Sequence, residues 1–244
     1  MRNDADIEKF QYSQIQNYPY EQWFREVQYN GKTLNATERR EFITNSEKVI
    51  DAYSEGLPMT ALILERIKGK HDEFHQMYRV FLSVNQFVLL TMIDCNVISK
   101  LFMMADKDYD KRFLRGKMKV ILNEGFKKLY GFNGGKNSKW KELGSILKNF
   151  PEEIKKQYQE LTSLLEEQAR SSSWWKDERD LETHLDAEKL YDSRCEDIIE
   201  SKVMMDSLKL FNALFAIEGF MVNMHGCINN FLIYKHQRGE LREK

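Results

Sequence analysis

The stretch "HDEFHQMYRVFLSVNQFVLLTMIDCNVISKLFMM", residues 71–104, decides the fold. Phe74, Met77, Tyr78, Phe81, Val84, Phe87, Val88 and Thr91 recur at spacings of three and four. At about 3.6 residues per turn this puts them on one helix face, where alternation by two would mark a strand. The run that follows, "VLLTMIDCNVISKLFMM", is apolar nearly all round. A second such run is "LFNALFAIEGFMVNMHGCINNFLI", residues 210–233. Asp94 and Asn96 interrupt the first, and Glu218, Asn223 and His225 the second. Such groups are expensive in lipid, so both runs are expected to be buried helices of a soluble bundle, with no membrane partner.

The other segments agree. "NATERREFITNSEKVIDAYSEG" carries Phe42, Ile43, Val49, Ile50 and Tyr53 at helical spacing. Asn35 or Thr37 can cap it, Glu38 supports the start, and Gly56 can end it. Helix is expected again from about Pro58 to Met104, with a break near Gly69. Further helices are expected from "DKDYDKRF" to Tyr130, over 138–149, from Pro151 to about Arg170, and from about Ser201 to Lys235. "GFNGGKNS" reads as a loop. Only three prolines and twelve glycines punctuate the chain, and no stretch alternates well enough for a strand. The expectation is an all-α helical bundle built around long, largely buried helices. Residues 1–57 read as an N-terminal arm and helix packed on a main bundle of residues 58–244.

Composition limits the function. A hydrophobic fraction of 42% supplies a core, and 31% charged residues fit a soluble chain. The formal net charge of −1 draws the whole molecule to neither nucleic acid nor membrane. Charge is segregated locally. Residues 111–148 hold eleven Lys or Arg against two acidic residues, whereas residues 151–200 hold fifteen acidic against seven basic. Two readings stand: neighbouring helices that complement each other, or a basic segment tracking a phosphate backbone. Cys95, Cys195 and Cys227 are odd in number and form no CxxC pair, and "MRNDADIEKFQYSQ" has no apolar leader segment. A reducing cytoplasm is the expected location.

Several motifs fail on inspection. "HDEFH" places His71 and His75 four apart, a spacing that can share a metal, but Asp72 stands where a zinc-protease helix needs Glu. Asp106, Asp108 and Asp110 open like a calcium loop, yet Lys111 and Lys117 occupy its glycine and glutamate positions. "GFNGGKNS" is one residue short of a phosphate loop and has no strand before it. Glu218, Asn223, His225 and Asn229 are expected to bond across to Asp94 or Asn96 within the core.

"RDLETH" remains. Asp180 and His184 are four apart and share a helix face, so the carboxylate can hold one imidazole nitrogen and leave the other free for proton transfer. Arg179 lies about 140° round the helix from His184, and its guanidinium fork suits a phosphate. RNA cleavage without a metal needs these parts: a base for the 2′-hydroxyl, positive charge for the phosphorane, and an acid for the leaving oxygen.

Arg179, the polar Asp180, three further residues and His184, set in an all-helical chain, resemble the R-x(4–6)-H signature of the HEPN superfamily. The resemblance implies a metal-independent endoribonuclease with no cofactor, leaving a 2′,3′-cyclic phosphate and a 5′-hydroxyl. It implies a homodimer whose two motifs face each other, and a setting in toxin–antitoxin pairs or phage defence, with an antitoxin protein as a partner. His184 would move the proton, Arg179 would bind the scissile phosphate and Asp180 would orient them. Near the motif, Trp174 and Trp175 are candidates to stack bases, and Lys176 and Arg194 to contact phosphate. The alternative is a non-catalytic helical scaffold that binds a protein partner or a nucleotide.

Overall fold

The computed structural model describes residues 35–130, 138–171 and 200–237. These form six α-helices: α1 (Ala36–Arg66), α2 (Glu73–Met104), α3 (Asp108–Tyr130), α4 (Lys139–Ser145), α5 (Glu152–Ser171) and α6 (Glu200–Gln237). A single 3-10 turn, Leu147–Asn149, follows α4. No strand occurs among the described residues, and the helices pack on one another: the fold is all-α.

α1 starts as its sequence dictates. The Asn35 side chain accepts from the backbone N–H groups of Thr37 and Glu38 at 2.9 and 3.0 Å, and the Glu38 carboxylate accepts the Asn35 N–H at 2.8 Å. This reciprocal box satisfies donors that a helix start leaves open. The helix does not stop at Gly56. It continues through Pro58 to Arg66, so a division of the chain after residue 57 falls inside it. Local propensity opposes this, since Gly and Pro weaken a helix interior by about 1 and 3 kcal/mol. Burial outweighs it. Tyr53, Thr60 and Ile67 are buried, and Leu57, Ile63 and Leu64 pack against the core. Each large apolar side chain contributes about 1.5–3 kcal/mol when fully buried.

α1 and α2 form an antiparallel hairpin. Glu47 meets Lys100 near one end, and Gly56 faces Leu89 further along. α2 is the hub, packing against α1, α3, α4 and α6. The face read from the sequence is the one that turns inward: Phe81, Val84, Val88 and Thr91 are buried, and Phe74, Met77, Tyr78 and Phe87 pack at its margin. α6 is the second spine. It lies on α2, α3 and α5, and buries Leu210, Leu214, Ile217, Phe220, Met224 and Ile228.

The α4–α5 corner closes one end around Trp140, which is 1% exposed. Its indole N–H donates to Thr162 Oγ1 at 2.8 Å, and its ring stacks on Tyr158 at 4.5 Å between centroids. The Tyr158 hydroxyl donates back to the Trp140 carbonyl at 3.0 Å. This approach needs a glycine at 144, because a Cβ there would lie 2.7 Å from Tyr158 Cζ as well as against its hydroxyl. Gly144→Ala is therefore expected to destabilise the protein by about 1–3 kcal/mol, as overpacking of a filled corner does. A lowered urea midpoint with unchanged m-value checks it, and an unchanged midpoint refutes it.

Candidate functional site

The residues singled out for chemistry, Arg179, Asp180 and His184, with Trp174, Trp175, Lys176 and Arg194, lie outside the described residues. Their place in the chain is nevertheless bounded. They fall between α5, which ends at Ser171, and α6, which begins at Glu200, and these two helices pack against each other. α3, the helix holding most of the basic segment, packs on both of them.

Besides the α4–α5 corner, two polar pairings within the described residues bear on chemistry. The first is at the start of α2. Asp72 is the N-cap: its carboxylate accepts the His75 backbone N–H at 3.2 Å and also pairs with His75 Nδ1. The hydrogen bond from the His75 ring is the leading cause that holds the Asp72 carboxyl below its usual value, with the backbone bond second. "HDEFH" thus joins Asp72 to His75 and leaves the two histidines to different tasks. The His71 carbonyl accepts from Gln76 Nε2 at 2.7 Å, and Glu73 pairs with Lys148 at 2.8 Å. Among the described residues no group of three or more His, Cys, Asp or Glu could hold a metal ion.

The second lies between α1 and α6, partly buried. The Tyr53 hydroxyl donates to Glu218 Oε2 at 2.6 Å, across 165 residues of sequence. For Glu218 this replaces the expected pairing with Asp94 or Asn96. Asn96, fully buried, donates from Nδ2 to the Met92 carbonyl one turn back in its own helix. Asn223 is exposed and bonds to Gln157 on α5 at 3.1 Å. The His225 ring stacks on Phe81 at 5.9 Å, in a run of rings that continues through Tyr78 to Phe74 and Phe231. Tyr53 was legible as a core position of α1, but nothing in the sequence paired it with Glu218.

Burial pushes the Glu218 carboxyl above its ordinary value, and the Tyr53 hydrogen bond pulls part of the way back. Burial also raises the thiol of Cys95, which is fully enclosed and therefore a packing residue rather than a nucleophile. Chemically, the Tyr53–Glu218 pair is a clamp between helices, and the Asp72–His75 pair is a cap that fixes one imidazole nitrogen.

Comparison with known proteins adds no relative: no family model, curated protein or solved structure matches the chain.

The clamp makes stability depend on pH with a definite sign. A carboxyl whose folded value is raised favours folding when protonated. Its contribution is complete below the ordinary value of 4.5 and is lost as pH rises through the raised value. Glu218→Gln cannot ionise and keeps an acceptor for Tyr53, so its stability relative to wild type is expected to grow between pH 4 and pH 8. Tyr53→Phe removes the donor and is expected to cost about 1–3 kcal/mol at neutral pH. Urea midpoints at several pH values check both, and a Gln variant whose difference from wild type is flat with pH refutes the assignment.

Proposed function

We propose that this chain is a metal-independent endoribonuclease of the HEPN type. The observation that carries the reading is the Arg179-x4-His184 motif, with polar Asp180 beside the arginine, in a chain whose described part is an all-α bundle. Two further facts support it. The motif lies in sequence between two long helices that pack together, and the basic helix α3 packs on both. A strand of RNA drawn to that neighbourhood would meet Lys and Arg from one helix and the motif from the connecting segment.

In this reading His184 takes the proton from the 2′-hydroxyl or returns one to the leaving 5′-oxygen. Arg179 neutralises the charge that builds on the phosphorane, and Asp180 fixes their orientation. Trp174 and Trp175 stack bases, and Lys176 and Arg194 hold flanking phosphates. The products are a 2′,3′-cyclic phosphate and a 5′-hydroxyl. Two copies of the chain supply two motifs to one cleft. Activity of this kind fits a toxin held by an antitoxin, or a phage-defence nuclease, in the cytoplasm.

The test is RNA cleavage in EDTA. Wild type is expected to cut, and His184→Ala to lose at least about a hundredfold in rate, the usual share of a general acid or base. Circular dichroism confirms that the variant is folded. Cleavage that survives in purified His184→Ala overturns the residue assignment. A wild type that binds without cutting replaces the reading with a non-catalytic scaffold.

A further inference from the structure

The segment before α1 carries a pattern that the fold has not yet used. Residues 1–34 lie outside the described residues, and seven of them are aromatic, a share above the 12% of the whole chain. Within them "PYEQWFREVQY", residues 19–29, sets Tyr20, Trp23, Phe24 and Val27 at positions i, i+3, i+4 and i+7. At roughly 100° per residue these four keep within about 100° of arc. Glu21, Gln22, Arg25, Glu26 and Gln28 take the remaining directions. Pro19 suits the first turn of a helix, and Asn30-Gly31 suits its end. So short an amphipathic helix is marginal alone in water and needs an apolar surface to lie on.

Such a surface stands where the segment joins the bundle. On the second half of α2, Leu101 and Met104 are 40 and 54% exposed, with half-buried Val97 beside them, on the side away from buried Asn96, Ser99 and Met103. A solvent face of a surface helix is ordinarily polar. Glu47 faces Lys100 and Gly56 faces Leu89 across the antiparallel hairpin. Met104 is therefore level with about Phe42, and the start of α1 stands about 9 Å past the end of α2. Residues 30–34 connect the aromatic segment to that start. Five residues reach at most about 17 Å, enough to turn the chain back beside Met104. A helix over 19–29 is about 16 Å long, whereas Val97 to Met104 spans about 10 Å. Folded back from α1, it runs parallel to α2 and covers that stretch.

The tether also decides the occupant. A short connection holds the segment at roughly millimolar effective concentration, above what a second copy or a partner in dilute solution reaches. A lipid surface fits less well, because Asp94 is exposed beside Val97 and a carboxylate is expensive in lipid.

We propose that residues 19–29 form a helix that straps the outward side of α2, laying Tyr20, Trp23, Phe24 and Val27 over Val97, Leu101 and Met104. Its polar side becomes the solvent face that α2 lacks there. Val27 sits at the Met104 end, next to the turn into α1, and Tyr20 points back along α2. The strap does not rest on the ribonuclease reading, because it concerns only α2 and the segment tethered beside it.

Hydrogen exchange on the full chain tests it. Amides of residues 19–29 are expected to be protected in wild type. Val97→Lys is expected to speed their exchange by at least about tenfold while leaving the amides of α6 unchanged, as local release without global unfolding does. A cross-link in an otherwise intact chain guards against a variant that fails to fold. Val27→Cys with Met104→Cys should oxidise to a disulfide within one chain, identified by mass spectrometry of the linked peptides. Val27→Cys with Leu90→Cys should not, since the strap runs parallel to α2. Residues 19–29 that exchange as an open chain in wild type overturn the proposal. Protection that ignores Val97→Lys does so too, as does a Val27→Cys, Met104→Cys link formed only between chains, which gives the face to a second copy. Wild type that pellets with phosphatidylcholine–phosphatidylglycerol vesicles, and is released by Leu101→Lys, gives it to lipid and likewise overturns the strap.

Discussion

From Val88 to Met104, α2 is apolar nearly all round, and most of that surface has to find partners in the rest of the chain. That constraint organises the architecture. α1 folds back along one side of α2, α3 and α6 cover the next, and α4 closes over its first half. α1, α3 and α4 bring a stripe rather than a full apolar surface, whereas α6 is itself apolar nearly all round over residues 210–233. The arrangement follows from one long apolar segment demanding partners from the rest of the chain. What the other helices leave uncovered is a narrow outward strip.

The core carries polar atoms, and their treatment shows how the bundle is held in register. Trp140, Tyr158 and Thr162 satisfy one another at the α4–α5 corner. Ser138 caps α4 and also donates to the Leu129 carbonyl at the end of α3, so one hydroxyl ties two elements. Tyr53 and Glu218 do the same for α1 and α6. Apolar packing alone would tolerate a helix sliding along its axis, whereas a directional bond with a buried acceptor does not. Ser46 on α1 and Ser99 on α2 are exceptions, with buried hydroxyls that have no partner. Their small size at the hairpin contact is the physical reason they are tolerated, since a larger side chain would force the helices apart.

Most of this architecture was legible in the sequence, and the reasons are specific. The intervals of three and four from Phe74 to Thr91 identify the inward face of α2, and Asn35 with Glu38 fixes the start of α1. Pro151 marks the entry to α5, and the apolar run after Leu210 marks α6. The end of α1 was not legible, because Gly56 and Pro58 are local stop signals and their override comes from the tertiary burial of Tyr53, Thr60 and Ile67, chiefly in the hairpin with α2. The partner of Glu218 was not legible either. Sequence showed that a buried carboxylate needs a donor, but which of several polar residues supplies it depends on how α1 and α6 are juxtaposed. The Asp72–His75 pair was half visible: the spacing of the histidines drew attention to the right turn, and the neighbouring aspartate proved to be the residue that matters there. Arg179, Asp180 and His184 fall outside the described residues, so their reading remains one of motif and context.

The Tyr53–Glu218 bond joins the second half of α1 to the middle of the final helix. The contacts among α1, α2 and α3 link neighbours in sequence and close short loops. The docking of α6 closes a loop of more than half the chain, the slower kind of event for a polypeptide. Synthesis runs from the N-terminus, so the first helices are complete while the groove awaiting α6 is still open and lined by the most apolar side of α2. The nascent chain therefore carries that groove bare while the residues from the end of α3 to the end of α6 are added. Holding that surface apart from other chains in the interval is a demand that this topology places on the cell.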